Sequence, residues 1–256
     1  MIVVGAGRVG TALKQRSDEV DIDCDLVSRD SGWQALDGAP GDPILLTVRN
    51  DDLDEVLKKV PKLRRPDLVF IQNGGIREWL RGEYLHQCTR GLLYFAVKTR
   101  GGPIEPGPTS PFCGPHAHIL SRWFGLMKLP AEEVNWARFS NRELEKLIWN
   151  SSFGVLCELY DCDVGTVCTE HRAELIALVD EFRVVGRMAM GVEIPLDWLV
   201  NRLVDYSMTI SDYRASVKEW QWRNGWFEAA AVHYGYPMIL HKEMVTSIGK
   251  SELLSD

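Results

Sequence analysis

A short apolar run, Ile2-Val3-Val4, passes directly into Gly5-Ala6-Gly7-Arg8-Val9-Gly10, a G-x-G-x-x-G sequence, and then into a helix-like stretch from Thr11 to Glu19. Gly5 permits a tight turn out of a strand, Gly7 lets the backbone approach a pyrophosphate, and Gly10 lets the helix pack closely on a sheet. The free N–H groups of the first helical turn and the helix dipole both favour an anion in front of them. Many folds share the motif alone. A strand before it and a helix after it supply the context that dinucleotide binding requires.

The first half continues that alternation. Strand candidates are Ile2–Val4, Ile22–Ser28, Ile44–Val48, Leu68–Gln72 and Leu92–Val97, several of them short β-branched runs suited to parallel strands covered on both faces. Asp52 and Glu55 have the spacing of a capping box ahead of Val56-Leu57. The pattern implies an α/β fold built on a doubly wound parallel sheet. The proline-rich stretch Gly101–Pro115 reads as a loop or a small edge feature at the rim. A helix over Ile119–Leu129 and a last strand over Val134–Phe139 complete this half. From Asn141 the spacing turns helical, through Leu144, Leu147 and Ile148 and then Leu175, Leu178, Val179, Phe182 and Val185, with breaks near Gly191–Pro195 and Gly235–Pro237. The expected organisation is an α/β domain over residues 1–140 and an all-helical domain over 141–256, its tryptophans belonging to the core.

The chain has 256 residues, 45% of them hydrophobic and 25% charged, with a net charge of −7. There is no basic stripe, which argues against nucleic acid as the main partner. No apolar run approaches the ~18 residues of a membrane helix, and the glycines interrupt any signal-peptide core. Six cysteines without a C-x-x-C pair read as buried free thiols. The expectation is a cytoplasmic protein in a reducing compartment. His116-x-His118 is expected at a helix start, with no metal role.

Three places could carry chemistry. The second strand candidate ends in Ser28-Arg29-Asp30, where this fold meets the adenosine ribose. An acid there accepts from the 2′-hydroxyl of NAD, and an arginine pairs with the 2′-phosphate of NADP. Arg29, joined by Arg49 at the end of the third strand, favours NADP, while Asp30 keeps NAD open. Asn73, before Gly74-Gly75, stands at a strand end over the ligand crevice, and Asn-Gly is equally a common turn. Lys146 and Asn150 share a helix face one turn apart. A lysine can protonate a developing alkoxide, although a lysine at such spacing is more often a solvated surface residue.

Taken together, these segments resemble the ketopantoate reductase family within the wider 6-phosphogluconate dehydrogenase-like group. Gly5–Gly10 matches the nucleotide loop, Arg29 and Arg49 the basic contacts to the 2′-phosphate, and Phe70-Ile71-Gln72-Asn73-Gly74 the strand ending in Asn-Gly. Glu143-Leu144-Glu145-Lys146-Leu147-Ile148-Trp149-Asn150 is similar to the family's E-L-x-x-K-L-x-x-N helix with one residue missing before the lysine. Ser207-Met208, then Glu219 twelve residues after Ser207, then Asn224-Gly225 follow the family's order, and His233–Pro237 resembles its closing stretch. The resemblance implies a Rossmann-type NADP(H)-binding domain followed by a helical substrate and catalytic domain. It makes Lys146 the general acid and Asn73 a residue that touches both cofactor and substrate. Asn150 becomes a substrate hydrogen-bonder, Ser207 the carboxylate binder, and Glu219 a catalytic residue contacting the cofactor ribose or the lysine.

Two departures stand out. Gly154 occupies the position of the family's second asparagine, and the segment 101–115 is short and lacks the family's hairpin pattern. The leading expectation is an NADPH-dependent reductase of a small 2-oxo acid, with ketopantoate first among candidates and pantothenate biosynthesis the corresponding role. A reductase of another 2-oxo acid or an imine is the second reading, and a non-catalytic NADP(H)-binding sensor or partner protein the third. Monomer and homodimer both stay open.

Overall fold

The computed structural model describes residues 1–105 and 107–254. Pro106, inside the proline-rich segment, and Ser255 and Asp256 lie outside the described residues. The chain divides into two compact units, Met1–Phe139 and Ser140–Asp256.

The first unit is a seven-stranded sheet in the order β2-β1-β3-β4-β5-β6-β7. The strands are β1 (Ile2–Val4), β2 (Asp25–Val27), β3 (Ile44–Leu46), β4 (Leu68–Phe70), β5 (Thr89–Gly91), β6 (Ser110–Cys113) and β7 (Ala131–Glu133). Pairing is parallel except between β5 and β6. Helices α1 (Arg8–Glu19), α2 (Leu53–Lys59), α3 (Arg77–Gly82) and α4 (Ala117–Leu126) accompany the strands. Every residue of β1, β3 and β4 is buried, as strands covered on both faces should be. Val3, Leu13, Leu45, Val69, Phe112 and Phe124 form one apolar core. In register, Val3 is opposite Leu26 on one side and Leu45 on the other. The strand order therefore reverses at β1, and ligands of such sheets bind beyond the carboxyl ends of the strands at that reversal.

Several local expectations are corrected. The fifth strand is Thr89–Gly91, not Leu92–Val97. Its residues are polar or small, yet all are buried, and the Arg90 guanidinium lies 5.6 Å over the Phe139 ring. The proline-rich segment is not merely rim. Ser110–Cys113 is a fully buried strand between β5 and β7. Pro111 lacks an N–H, but its carbonyl accepts from Leu92 N at 3.1 Å, so one side of the ladder is kept. Val134–Phe139 is not a strand. The Asn135 side chain accepts from Arg138 N at 2.9 Å, and this cap starts a helix at Trp136. The capping box at Asp52 does not form, because Asp52 has helical dihedrals and makes no side-chain cap. Glu55 instead pairs with Lys58 at 2.5 Å.

The second unit is helical. Its helices are α5 (Trp136–Leu159, beginning at the end of the first unit), α6 (Val164–Glu170), α7 (Arg172–Met190), α8 (Leu196–Met208), α9 (Asn224–Tyr234) and α10 (Ile239–Ser247). Leu144, Ile148, Leu175, Leu178, Phe182, Val185 and Phe227 are fully buried in its core. Asp163 caps α6 by accepting from Thr166 N at 2.8 Å. Gly191 and Gly235 end α7 and α9 in the left-handed region, where the sequence showed breaks. Glu145 on α5 receives both Nε and Nη2 of Arg202 on α8, at 2.8 and 2.9 Å, which fixes the rotation of α5 about its axis.

Candidate active site

The glycine turn continues the sheet, with Gly5 N donating to Val27 O at 2.8 Å. Gly5 has φ +112, and a Cβ there would stand 2.8 Å from Val48 Cγ1; a Cβ on Gly10 would stand 1.9 Å from the Gly5 carbonyl oxygen. The protein's own packing therefore requires both glycines. Gly7 differs, because a Cβ there would meet nothing within 4 Å. Nothing among the described residues demands glycine at position 7, and the open space there is what close approach of a pyrophosphate would require. Gly7 sits at the N-cap of α1 without a side-chain cap, and the first turn, which begins with Arg8 and Val9, holds no acidic residue. Ala6 accepts from Thr11 Oγ1 through its carbonyl at 3.2 Å.

Arg29 follows β2 by two residues, and Arg49 follows β3 by three. Both strands run parallel to β1 on its two sides, so both arginines emerge at the same edge as the glycine turn. Both are exposed, as is Asp30. Ser28 closes the turn that carries Arg29, its Oγ accepting from Asp30 N and Ser31 N at 3.2 and 3.1 Å. Arg49 lies 3.8 Å from Asp51 in a solvated pair.

Asn73 leaves β4 at that edge. Its carbonyl accepts from Asn50 Nδ2 at 2.9 Å. Its Oδ1 is buried without a hydrogen-bond partner. Gln72 Nε2 stitches β4 to β3 through Leu46 O and Val48 O, at 2.9 and 3.2 Å. An open glycine at a helix N-terminus, two arginines and an orphaned carboxamide oxygen fit the phosphates, ribose and amide of a nicotinamide dinucleotide.

In the helical unit, Lys146 is half-buried on α5. Burial, and secondarily the Arg223 guanidinium, bring its pKa down from 10.5 to about 7. Asn150, one turn on, donates Nδ2 to the Lys146 carbonyl at 2.8 Å, which fixes its side chain against the helix and leaves Oδ1 as its acceptor. Glu219 has φ +51 and precedes a short 3₁₀ turn over Trp220–Trp222. Arg223 Nη2 donates to Glu219 Oε2 at 2.5 Å, so Glu219 holds the arginine that acts on Lys146. Ser207, expected at the substrate carboxylate, is 0% exposed, its Oγ donates to Leu203 O at 2.8 Å, and it accepts from Trp149 Nε1 at 2.9 Å. The hydroxyl thereby orients the Trp149 indole.

Gly154 is also explained. A Cβ there would lie 3.0 Å from Ser216 O and 3.1 Å from Ser216 C. The backbone of the segment after α8 occupies the space that an asparagine side chain would need. That segment is anchored by Val217 N donating to Glu158 Oε1 at 3.0 Å and by Gly165 N donating to Ser211 O at 3.0 Å.

Three residues of these arrangements escaped the sequence reading. Thr47 Oγ1 bonds the carbonyls of Val4 and Gly5 at 3.0 and 2.8 Å, Asn50 holds the Asn73 turn, and Arg223 stands beside Lys146. None sits in a motif. The one signal was a lone arginine directly before Asn224-Gly225.

No curated protein matches the chain by sequence. Residues 138–233 match the family model described as ketopantoate reductase PanE/ApbA C terminal. Among solved structures, 2-dehydropantoate 2-reductase from Geobacter metallireducens GS-15 aligns at TM-score 0.76 and 14% identity, covering 98% of this chain and 100% of that one. D-mandelate dehydrogenase with NADH and anilino(oxo)acetate aligns at TM-score 0.76 and 13% identity, with 98% of each chain covered. A dimeric ketopantoate reductase from Staphylococcus aureus aligns at TM-score 0.74 and 14% identity, also with 98% of each covered. These structures share the fold across the whole length, and residues 138–233 of the helical unit are similar to the C-terminal part of ketopantoate reductase PanE/ApbA.

Proposed function

We propose that the chain is a nicotinamide-dependent oxidoreductase that reduces a small 2-oxo acid to the 2-hydroxy acid, with Lys146 as the proton donor. The observation that carries this reading is the half-buried lysine with a pKa of about 7, on the helix face shared with Asn150. A proton donor works best when its pKa lies near the working pH, and a purely binding protein has no use for such a tuned lysine. Gly5–Gly10 and Asn73 would hold the cofactor, Arg29 and Arg49 favouring NADPH through its 2′-phosphate. The bound nicotinamide supplies the hydride. Lys146 gives its proton to the carbonyl oxygen, and Asn150 keeps donor and substrate in line.

Ketopantoate is the first substrate to test. One observation favours a different 2-oxo acid. The backbone of Ser216 stands where the side chain of the family's second asparagine would lie, so the contact of that asparagine is missing here. Trp149, Tyr206 and Tyr213 cluster one turn beyond Lys146, with ring centroids 5.3 and 6.2 Å from Trp149. An aromatic or branched apolar side chain suits such an aromatic cluster, and one of the similar folds carries the name of a mandelate dehydrogenase.

The test is NADPH and NADH oxidation over a panel containing ketopantoate, phenylglyoxylate and branched 2-oxo acids, with Lys146→Ala beside the wild type. Turnover should fall on the order of 100-fold or more in the variant while NADPH affinity holds. Undiminished turnover without Lys146 sinks the assignment.

A further inference from the structure

We propose that Asn224 is a positioning residue for the proton donor: clamped between the Ser151 carbonyl on α5 and the His241 imidazole on α10, it fixes the Glu219–Arg223 turn against the helix that carries Lys146. This rests on the reductase reading above and adds to it the group that sets the surroundings of the donor.

Asn224 is the first residue of α9, yet its side chain does not cap that helix. It turns into the protein instead and is 1% exposed. Nδ2 donates to Ser151 O at 3.2 Å and lies 3.1 Å from His241 Nε2. A backbone carbonyl only accepts, so Ser151 orients the amide, and the second N–H of Nδ2 is left for the ring nitrogen, which must accept. His241 therefore carries its proton on Nδ1, 3.3 Å from Glu228 Oε1, one turn along α9 from Asn224.

His241 is itself held from two sides. On α7, Glu181 accepts from Leu240 N and His241 N at 3.1 and 2.8 Å, and the Phe182 ring meets the imidazole in an edge contact at 5.2 Å. Trp220, from the Glu219–Arg223 turn, stacks on the same imidazole at 5.8 Å with 20° between the planes. A Cβ on Gly225 would stand 2.7 Å from Trp220 Nε1, so the glycine that follows Asn224 is what admits this indole. The turn is thus joined to α10 through both Trp220 and Asn224, and to α5 through Asn224.

What the clamp holds is an ion pair. Arg223 Nη2 donates to Glu219 Oε2 at 2.5 Å, and Glu219 has φ +51. A non-glycine residue persists in that region only where its surroundings over-determine it. The short, doubly bonded side chain of Asn224 places the adjoining Arg223 relative to Ser151, five positions along α5 from Lys146. After burial, the Arg223 guanidinium is the influence that lowers the Lys146 pKa. An apolar residue of the same size at position 224 would fill the volume and direct nothing.

The test follows the ionisation of Lys146 in the full chain carrying isotope-labelled lysine, by NMR titration; its signal is the one absent from Lys146→Met. Asn224→Leu keeps the volume and removes both bonds. The Lys146 pKa should then rise from about 7 by on the order of 1 pH unit, because the like charge beside it is no longer held. The decline of kcat/KM with pH should move up with it. Arg223→Met should give the same rise, and the double variant no more than either alone, because both changes remove one interaction. His241→Gln, whose carboxamide oxygen can still accept from Asn224, should keep the wild-type titration. A folded Asn224→Leu protein with an unshifted Lys146 overturns the proposal, as do additive shifts in the double variant, which mark a general loosening. Arg223→Met leaves Asn224 in place and serves even if the leucine variant does not fold; an unshifted Lys146 there overturns the proposal too. The titration needs no turnover, which separates the two readings. If wild type reduces no 2-oxo acid but the titrations shift as described, the reductase reading falls and the positioning role stands. If reduction depends on Lys146 and Asn224→Leu leaves the titration unmoved, the reductase stands and Asn224 is packing alone.

Discussion

Thr47 on the β3 side donates its hydroxyl to the carbonyl of Gly5 at 2.8 Å, with the Val4 carbonyl at 3.0 Å, tying the end of one strand to the turn in which the neighbouring strand ends. The contact is tight, since a Cβ on Gly10 would stand 2.5 Å from the same hydroxyl. Thr47 thus holds the turn that precedes α1 at its closest approach to the sheet.

The first prediction concerns that hydroxyl. Thr47→Val keeps the shape and removes the side-chain donor to the Gly5 carbonyl, while Val4 O keeps the Thr47 backbone N–H at 2.8 Å. Stability should drop by about 1–2 kcal/mol in denaturant unfolding, and NADPH affinity should weaken as the turn loosens. Thr47→Ser should preserve both. Equal behaviour of the valine and serine variants would show that the hydroxyl does not matter.

The glycines separate folding from binding. Gly10→Ala places a methyl group 1.9 Å from the Gly5 carbonyl oxygen, so the expected outcome is a destabilised or unfolded protein. Gly7→Ala meets no atom within 4 Å among the described residues and should unfold at the same temperature as wild type. Its dinucleotide affinity should nevertheless fall at least tenfold, because the methyl group stands where a pyrophosphate must come close. Calorimetric titration with NADPH beside a thermal melt reads both quantities. Retained affinity in Gly7→Ala would refute the cofactor role of this turn.

Lys146 carries a pH prediction whose sign follows from its lowered pKa of about 7. Reduction needs the ammonium, so kcat/KM for the 2-oxo acid should decline as pH rises above about 7. Oxidation of the 2-hydroxy acid needs the neutral amine and should rise over the same range. Stability shifts too. The folded state binds fewer protons than the unfolded chain between about 7 and 10.5, so burying this lysine costs most below about 7 and nothing above 10.5. Lys146→Met should therefore gain more stability at pH 6 than at pH 10. A flat rate profile from pH 6 to 9 would contradict the assignment of Lys146.

Legibility in the sequence followed the kind of signal each element carries. β1, β3 and β4 are short apolar runs and stood out, as did the helical spacing of Leu144, Leu147 and Ile148. Thr89-Arg90-Gly91 did not, because its burial depends on Phe112 and Phe139 arriving from later in the chain. Pro111 disguised β6 for a similar reason: only the assembled ladder reveals that its carbonyl, and not an N–H, is what the neighbour uses. In the candidate site, Lys146 and Asn150 were readable from helix spacing and family resemblance. Arg223 belongs to no spacing rule, and its influence on Lys146 exists only through space. The enclosure of Ser207 likewise depends on Trp149, fifty-eight positions away.

Gly154 yields the last prediction, and its sign opposes helix propensity. Replacing an interior helix glycine with alanine ordinarily stabilises by about 1 kcal/mol. Here the new Cβ would stand 3.0 Å from Ser216 O and 3.1 Å from Ser216 C, both backbone atoms. Relief requires the segment to lift, but Val217 N is bonded to Glu158 at 3.0 Å and Ser211 O receives Gly165 N at 3.0 Å. With both ends tied, overpacking of about 1–3 kcal/mol should outweigh the propensity gain. Gly154→Ala is therefore expected to lower the unfolding midpoint, and Gly154→Asn to lower it further without improving turnover of ketopantoate. Adding Glu158→Gln, which weakens the tie at Val217, should make the alanine less costly than in the otherwise native chain. A Gly154→Ala protein more stable than wild type would mean that the Ser216 backbone yields freely and does not hold position 154 to glycine.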